Sequence, residues 1–240
     1  VKFMGIINVT PDSFSDGGRF DNVESALHQA FKLINDGADI LDIGGESTRP
    51  YATPVSLEEE LNRTIPVIKK IREHSDIPIS IDTTKAEVAK HAFHAGASIL
   101  NDISAMQKDE NMVRVVNHFD VPVIIMHMQN SPQNMQDKPQ YSDVVAEIML
   151  FFQNRLAELE KKGLKKEKIT IDPGIGFGKT VDHNLSILKH LNVFKKLGCN
   201  LLLGHSRKRF LGEITGKDIT ERDLATAIVS GFASNHGVDI

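Results

Sequence analysis

Residues Ile169 to Thr180 read I-T-I-D-P-G-I-G-F-G-K-T. A β-branched run enters the stretch, a carboxylate sits at its end, and glycines follow at once. The pattern predicts a buried strand that delivers Asp172 to a rim and then breaks into a loop. Pro173 has no N–H for a ladder and a glycine has no side chain to pack, so regular structure stops there. Four other stretches repeat the plan: an apolar strand ends in one or two polar residues too expensive to bury unpaired. Strand ends that meet on one face build a pocket.

The chain in order alternates strand and helix. Strand one is expected over Lys2–Val9, ending near Asn8, followed by a polar loop from Thr10 to Phe20 and a helix capped by Asn22 that runs to about Asp36. Strand two is expected over Asp39–Ile43, then a second long loop, Gly44–Val55. Ser56 with Glu59 three residues on predicts a capping box for a helix reaching about His74. Strand three (Ile77–Asp82), helix three (Thr84–Ala95, stopped at Gly96), strand four (Ser98–Asn101), helix four (Asn111–Phe119) and strand five (Pro122–Met126) follow. A proline-bearing loop, Gln129–Tyr141, leads to a long helix over Asp143–Lys162. After the opening stretch come a helix at Asp182–Leu191, strand seven at Asn200–Gly204 and a helix at Ile219–Asn235. Seven βα units at intervals of roughly 30 residues make a parallel α/β sheet, one unit short of a (β/α)8 TIM barrel. Gly237–Ile240 is apolar enough to begin strand eight. The expectation is one domain over 1–240, excerpted from a longer chain that completes strand eight and helix eight.

Bulk properties narrow the function classes. Lys plus Arg is 28 and Asp plus Glu is 32, so the formal charge is 28 − 32 = −4. That balance gives no electrostatic reason to expect nucleic acid or a membrane surface. No apolar run reaches the roughly 20 residues that span a bilayer. The single Cys199 excludes an intrachain disulfide framework and suits a reducing cytoplasm. It precedes an apolar strand, which favours a buried inert thiol over a nucleophile.

In a barrel every strand's C-terminal end points to one mouth, where active sites lie. That expectation puts Asn8, the Asp42–Glu46 region, Asp82, Asn101 with Asp102, Met126 with His127, Asp172, and Gly204 with His205 around one rim. Singly, each could be a loop starter. Together, these carboxylates and amides demand donors. G-H-S-R-K-R-F (Gly204–Phe210) sets Arg207, Lys208 and Arg209 directly after strand seven, either as a solvated basic loop or as a site for an anion or an electron-rich heterocycle. G-I-G-F-G-K-T (Gly174–Thr180) is one residue short of a phosphate-binding P-loop. His127, with no metal-ligand spacing around it, is expected to pack and hydrogen-bond.

Several of these stretches resemble one family. N-V-T-P-D-S-F-S-D-G-G (Asn8–Gly18), D-I-G-G-E-S-T-R-P (Asp42–Pro50), I-D-T (Ile81–Thr83), N-D-I-S (Asn101–Ser104), D-P-G-I-G-F-G-K (Asp172–Lys179) and S-R-K-R-F (Ser206–Phe210) are similar to the dihydropteroate synthases, in order, over essentially the whole chain. The resemblance implies a pterin-binding (β/α)8 barrel that joins 6-hydroxymethyl-7,8-dihydropterin diphosphate to p-aminobenzoate in folate synthesis. It implies that Asp172 accepts from the pterin ring N–H and NH2. Asn101 and Asp82 would meet other ring nitrogens, Lys208 the carbonyl edge, and Met126 a ring face, beside Gly204. Mg2+ would bridge the diphosphate with Asn8 as its protein ligand, and Thr48 and Arg49 would hold the phosphates. Asp16 would stabilise a pterin-methyl cation. Phe14, Pro50 and Phe177 would line the p-aminobenzoate slot, with Lys208 and Arg209 near its carboxylate and Arg207 a further substrate-binding candidate. The two long loops would form a lid hinged at Gly17, Gly18, Gly44 and Gly45.

The resemblance also implies a cytoplasmic homodimer, a sulfonamide target, and in some relatives fusion to another folate-pathway domain. Tyr51 and Asn130 depart from its usual glycines. An Arg and a His that it places on a final strand are expected beyond Ile240. Rival readings are a methyltetrahydrofolate–corrinoid methyltransferase-like barrel and a non-catalytic pterin-binding paralogue.

Overall fold

The computed structural model describes the chain except residues 11–18, 49–51, 130–134 and 136–138. The described chain is α/β. Its seven strands are hydrogen-bonded in chain order, as a (β/α)8 topology requires. It divides into two compact units, Lys2–Ile124 and Ile125–Ile240.

The first unit runs β1 (Met4–Asn8), α1 (Arg19–Asn35), β2 (Ile40–Gly44), α2 (Leu57–Arg72), β3 (Ile79–Asp82), α3 (Ala86–Ala95), β4 (Ile99–Asp102) and α4 (Met112–Phe119), and ends within β5 (Val123–Met126). β1 to β4 pair in parallel, and the register aligns their ends. Asn8 pairs with Gly44, Gly44 with Asp82, and Asp82 with Asn101. β2 and β3 show no in-and-out alternation of burial, as expected for a parallel sheet covered on both faces. Leu41, Ile43, Ile79 and Ile81 are all buried there, as is Leu100 on β4.

The second unit takes the end of β5, then α5 (Val144–Lys161), β6 (Ile169–Asp172), α6 (Val181–Lys189), α7 (Leu191–Phe194), β7 (Asn200–Leu201), α8 (Arg209–Thr215) and α9 (Asp223–Ser234). The His127 N–H donates to the Asp172 carbonyl at 2.9 Å, which joins the ends of β5 and β6. Ile240 N–H donates to Leu201 O at 3.2 Å and Leu203 N–H to Ile240 O at 3.0 Å. This is the hydrogen-bond pattern of a single parallel bridge at Ile240, beside β7.

Local differences from the expected elements have physical causes. Ser56 caps α2, its Oγ accepting from Glu59 N at 3.2 Å, but the Glu59 carboxylate accepts from Arg63. The reciprocal box forms instead at Thr180 and His183, which starts α6 inside the opening stretch. α8 lies where the basic loop was expected. Phe210 and Leu211 are buried, and Gly216 closes the helix with φ +68°. β7 is shorter than Asn200–Gly204, although Leu202 still donates to Ile171 O at 2.9 Å. Ile219–Glu221 is a 3-10 turn ahead of α9. Cys199 is buried, as expected.

The cap of α5 provides a simple check. Asp143 Oδ1 accepts from Val145 and Ala146 N–H at 3.0 Å each. Asp143→Ala is expected to cost about 1 kcal/mol, a drop of roughly 2–4 °C in melting temperature by calorimetry.

Candidate active site

In the first unit the aligned strand ends carry a dense acidic group. Asp42 lies two residues inside the end of β2, fully within the sheet, where the register sets it beside Ser80. Asn101 Nδ2 donates to Asp42 Oδ2 at 3.1 Å. Asp42 Oδ1 and Ser80 Oγ are buried without a well-formed hydrogen bond among the described residues, although the nearby hydroxyl still favours the carboxylate. Burial pushes Asp42 up to about 6, against the opposing pull of Ser80 and Asn101. Burial also pushes Asp82 well above the usual carboxylate range, reinforced by the negative charges of Asp42, Asp102, Glu60 and Glu46. Gly44 keeps the approach to it open, since a Cβ there would lie 3.5 Å from the Asp82 carboxylate.

A half-buried cation stands behind this group. Lys85 at the head of α3 pairs with both Glu46, after β2, and Glu60, from α2. Burial alone would lower the Lys85 ammonium, but its hydrogen bonds to the two carboxylates more than offset this and hold it above its ordinary value. Asp102 Oδ1 accepts from Ser104 N at 2.7 Å and Oγ at 2.6 Å.

In the second unit Asp172 is buried at the end of β6, and its Oδ1 accepts from Gly174 N at 2.8 Å. Burial raises its carboxyl, opposed by the charge of Lys208 and the Gly174 N–H. Asp172 Oδ2 and Lys208 Nζ each lie 3.8 Å from where a Cβ on Gly204 would stand, so both groups border Gly204. Lys208 donates to Ile175 O and sits 4.5 Å over the Phe177 ring. Burial lowers Lys208 to about 8, with Asp172 pulling the other way.

Gly174, with φ +71°, is the one residue type that fits its position, because a Cβ there would fall 2.0 Å from the His127 carbonyl oxygen. Lys179 is buried and reaches His127 Nδ1, His127 O and Phe177 O. Burial drops it to about 7, and burial with the Lys179 charge holds His127 down at about 3. His127 therefore packs and hydrogen-bonds, edge-on to Phe151 at 5.0 Å. His205 does so as well, with Nε2 2.9 Å from Ser230 Oγ.

Of the expected site residues, Asn8, Asp82 and Asn101 stand in one register row, and Asp172, Gly204, Phe177 and Lys208 stand together in the second unit. Met126 is buried at the end of β5, and Thr48 is half-buried. Arg207 and Arg209 differ from expectation. The Arg207 guanidinium is held by Asp223 at 2.5 and 2.7 Å on the surface, and Arg209 pairs with Glu213 one turn along α8, at 2.5 Å. Both arginines have carboxylate partners on helices and are exposed. Phe14, Asp16, Gly17, Gly18, Arg49, Pro50, Tyr51 and Asn130 lie outside the described residues. Gly44 and Gly45 are not hinges. Gly44 belongs to β2, and a Cβ on Gly45 would meet Thr64 at 2.9 Å while Arg63 holds the Gly45 carbonyl at 2.8 Å. Gly44 leaves room for Asp82, and Gly45 allows close packing on α2.

Sequence reasoning missed Ser80, the Lys85–Glu46–Glu60 cluster and the role of Lys179. A signal existed for Glu60. It shares the helical stripe of Thr64, Val67, Ile68 and Ile71, all buried, but sits in an E-E-E run that reads as a solvated first turn.

The pterin binding enzyme family model matches residues 4–240. The chain is 47% identical over 238 residues to the dihydropteroate synthase of Synechocystis, covering 99% of this chain and 82% of that one. It is 45% identical to a folate synthesis bifunctional protein of Arabidopsis thaliana, covering 93% of this chain and 49% of the relative. The solved Yersinia pestis dihydropteroate synthase with a sulfonamide drug complex superposes with a TM-score of 0.93 at 40% identity, covering 99% and 86% of the two chains. The Xanthomonas albilineans enzyme in complex with 7,8-dihydropteroate superposes with a TM-score of 0.89 at 41% identity, covering 99% and 85%. The chain belongs to the pterin-binding enzymes and, within them, to the dihydropteroate synthases.

Proposed function

We propose that the chain condenses 6-hydroxymethyl-7,8-dihydropterin diphosphate with p-aminobenzoate, giving 7,8-dihydropteroate and pyrophosphate. The observation that carries the reading is the charged pair at the end of β6 and after β7. Asp172 offers an acceptor and Lys208 a donor on either side of Gly204. A pterin edge presents ring N–H, exocyclic NH2 and a carbonyl, the complementary set. Asp82 and Asn101, each at the end of a parallel strand, serve the remaining ring nitrogens. Met126 lies against a ring face, and Phe177 lines the p-aminobenzoate slot with Phe14 and Pro50.

The reaction breaks the C–O bond between the pterin methylene and the diphosphate, whose oxygen keeps the electron pair. The arylamine nitrogen bonds the methylene carbon and then loses its proton. No strong general base is needed, because the arylamine is already nucleophilic. Asp16 balances the developing positive charge, and Thr48 and Arg49 hold the phosphates. Asn8 suits Mg2+: its exposed amide supplies a neutral oxygen at the end of β1, the hard donor that Mg2+ takes alongside phosphate and water. When bound, Mg2+ neutralises charge on the departing diphosphate.

The Arabidopsis relative supports fusion to a second folate-pathway domain in some chains. The uninterrupted family match over 4–240 supports reading the chain as a single domain. Leu224, Ile228 and Phe232 form an exposed stripe on α9 and support a homodimer through the last helices. Among the described residues no helix is long and apolar enough to cross a membrane, and the lone cysteine supports a cytoplasmic setting. The drug-bound Yersinia relative supports competition by sulfonamides at the p-aminobenzoate slot.

A coupled pyrophosphate assay on the full-length protein tests the reaction. Release is expected only with both substrates present. EDTA should cut the rate at least about tenfold, and added Mg2+ should restore it. Release that ignores p-aminobenzoate would reject the proposal.

A further inference from the structure

We infer that Lys179 is a positioning residue for the p-aminobenzoate side of the site, an inference that rests on the function proposed above. Its ammonium is buried, and its partners are three uncharged acceptors: His127 Nδ1 at 3.1 Å, His127 O at 3.3 Å and Phe177 O at 2.9 Å. It therefore ties the end of β5 to the loop after β6. Burying a cation whose hydrogen bonds all go to uncharged acceptors is costly even with the Asp172 charge acting on it, and an aliphatic side chain of similar length would fill the same space without that cost. Lys179 is thus a poor choice for stability alone.

The tied loop is also what holds Lys208. Phe177 lies under its ammonium at 4.5 Å, and Ile175 supplies the carbonyl that it donates to. Gly176 leaves room for the Lys208 stem, where a Cβ would stand 3.1 Å from Cδ. The loop backbone passes through positive φ at Gly174, Gly176 and Gly178, and its own ties are Phe177 N on Gly174 O at 3.1 Å and Gly176 N on Asn184 Oδ1 at 2.9 Å, which leave the Phe177 carbonyl to be fixed from elsewhere. Lys179 supplies that fixation at Phe177, and Phe177 and Ile175 pass it to Lys208. His127 can accept at Nδ1 because its surroundings keep the ring neutral.

The test compares native protein with Lys179→Met. Incorporation of 4-fluorophenylalanine, with the Phe177 resonance assigned through Phe177→Leu, reads the loop directly. We expect one sharp Phe177 line in the native protein and a broadened or shifted line in the variant. The KM for p-aminobenzoate should rise about tenfold per folded molecule. The KM for the pterin diphosphate should change less than threefold, because Gly174 N holds Asp172 independently. A merely structural lysine would lower the amount of active protein and leave both KM values alone. An unmoved Phe177 line, or a p-aminobenzoate KM within threefold of native, overturns the inference. Should Lys179→Met fold poorly, Lys179→Leu, which likewise removes all three donated hydrogen bonds, replaces it. If neither retains native circular dichroism, the residue serves folding and the inference falls. If native protein makes no dihydropteroate, the functional proposal fails, and the fluorine spectrum alone decides the role of Lys179.

Discussion

Asp172→Asn should weaken binding of 6-hydroxymethylpterin by about 3 kcal/mol, roughly a hundredfold, while leaving the fold intact. The carboxylate has one oxygen committed to Gly174 N and the other facing Lys208 across Gly204. An asparagine can keep the first contact. It cannot accept from two adjacent pterin donors with charge assistance, and its NH2 would turn a donor toward donors. Stability should move the other way. Burial raises the Asp172 carboxyl, so its contribution to stability is complete below its unfolded value and is lost as pH rises through its folded one. Above that folded value the native charge is a burden that the amide does not carry. Lys208 should also change, because Asp172 is the charge that pulls it up toward about 8. Isothermal calorimetry reads the affinity, and urea unfolding reads the stability. Affinity within threefold of native would remove Asp172 from the pterin site.

Much of this arrangement is legible in the sequence because parallel strands force it. A strand buried on both faces is mostly apolar until the sheet ends, so I-T-I-D, I-S-I-D and I-L-N-D each announce that end and the group it delivers, whereas Asp42 lies inside β2. The register then places Asn8, Asp82 and Asn101 in one row. Residues whose partners are distant in sequence are harder to read. Lys85 looks like a solvent-exposed residue opening a helix, and nothing nearby in the chain shows that Glu46 and Glu60 wait for it from 39 and 25 residues away. Arg207 and Arg209 mislead in the opposite sense. Three cations in a row suggest an anion site. Arg207 instead turns through φ +54° and α8 begins at Arg209, so the neighbours of Lys208 diverge to Asp223 and Glu213. The glycines after Asp172 mark a loop, and only coordinates reveal that Gly174 exists to clear the His127 carbonyl.

Lys85→Met should destabilise the protein by about 3 kcal/mol at pH 8, the low end for breaking a buried ion pair, because Glu60 is fully buried and Lys85 only half-buried. Glu60 is completely buried, its Oε1 has no partner among the described residues, and Lys85 is the cation that serves its other oxygen. Glu46 loses the same partner, and Asp42, Asp82 and Asp102 add like charge to the neighbourhood. The missing ammonium leaves the like charge of this acidic group uncompensated, so the deficit should shrink as pH falls and Asp42 takes up its proton. The native protein has its own slope in this range and must be subtracted. Asp42 has an ordinary value of 3.8 and a folded value of about 6. The folded chain keeps that proton after the unfolded chain has lost it. The stability it lends is therefore whole below 3.8 and disappears as pH rises through about 6. Native protein thus gains on acidification from Asp42, and the variant gains further because the same protonation removes like charge that Lys85 no longer offsets. The measured quantity is the gap between the two urea midpoints at pH 8 and at pH 5, and it should narrow at pH 5. A gap below about 1 kcal/mol at pH 8 would mean that the pair contributes no more than a surface salt bridge. A gap that widens on acidification would mean that the lost term is packing of the Lys85 stem.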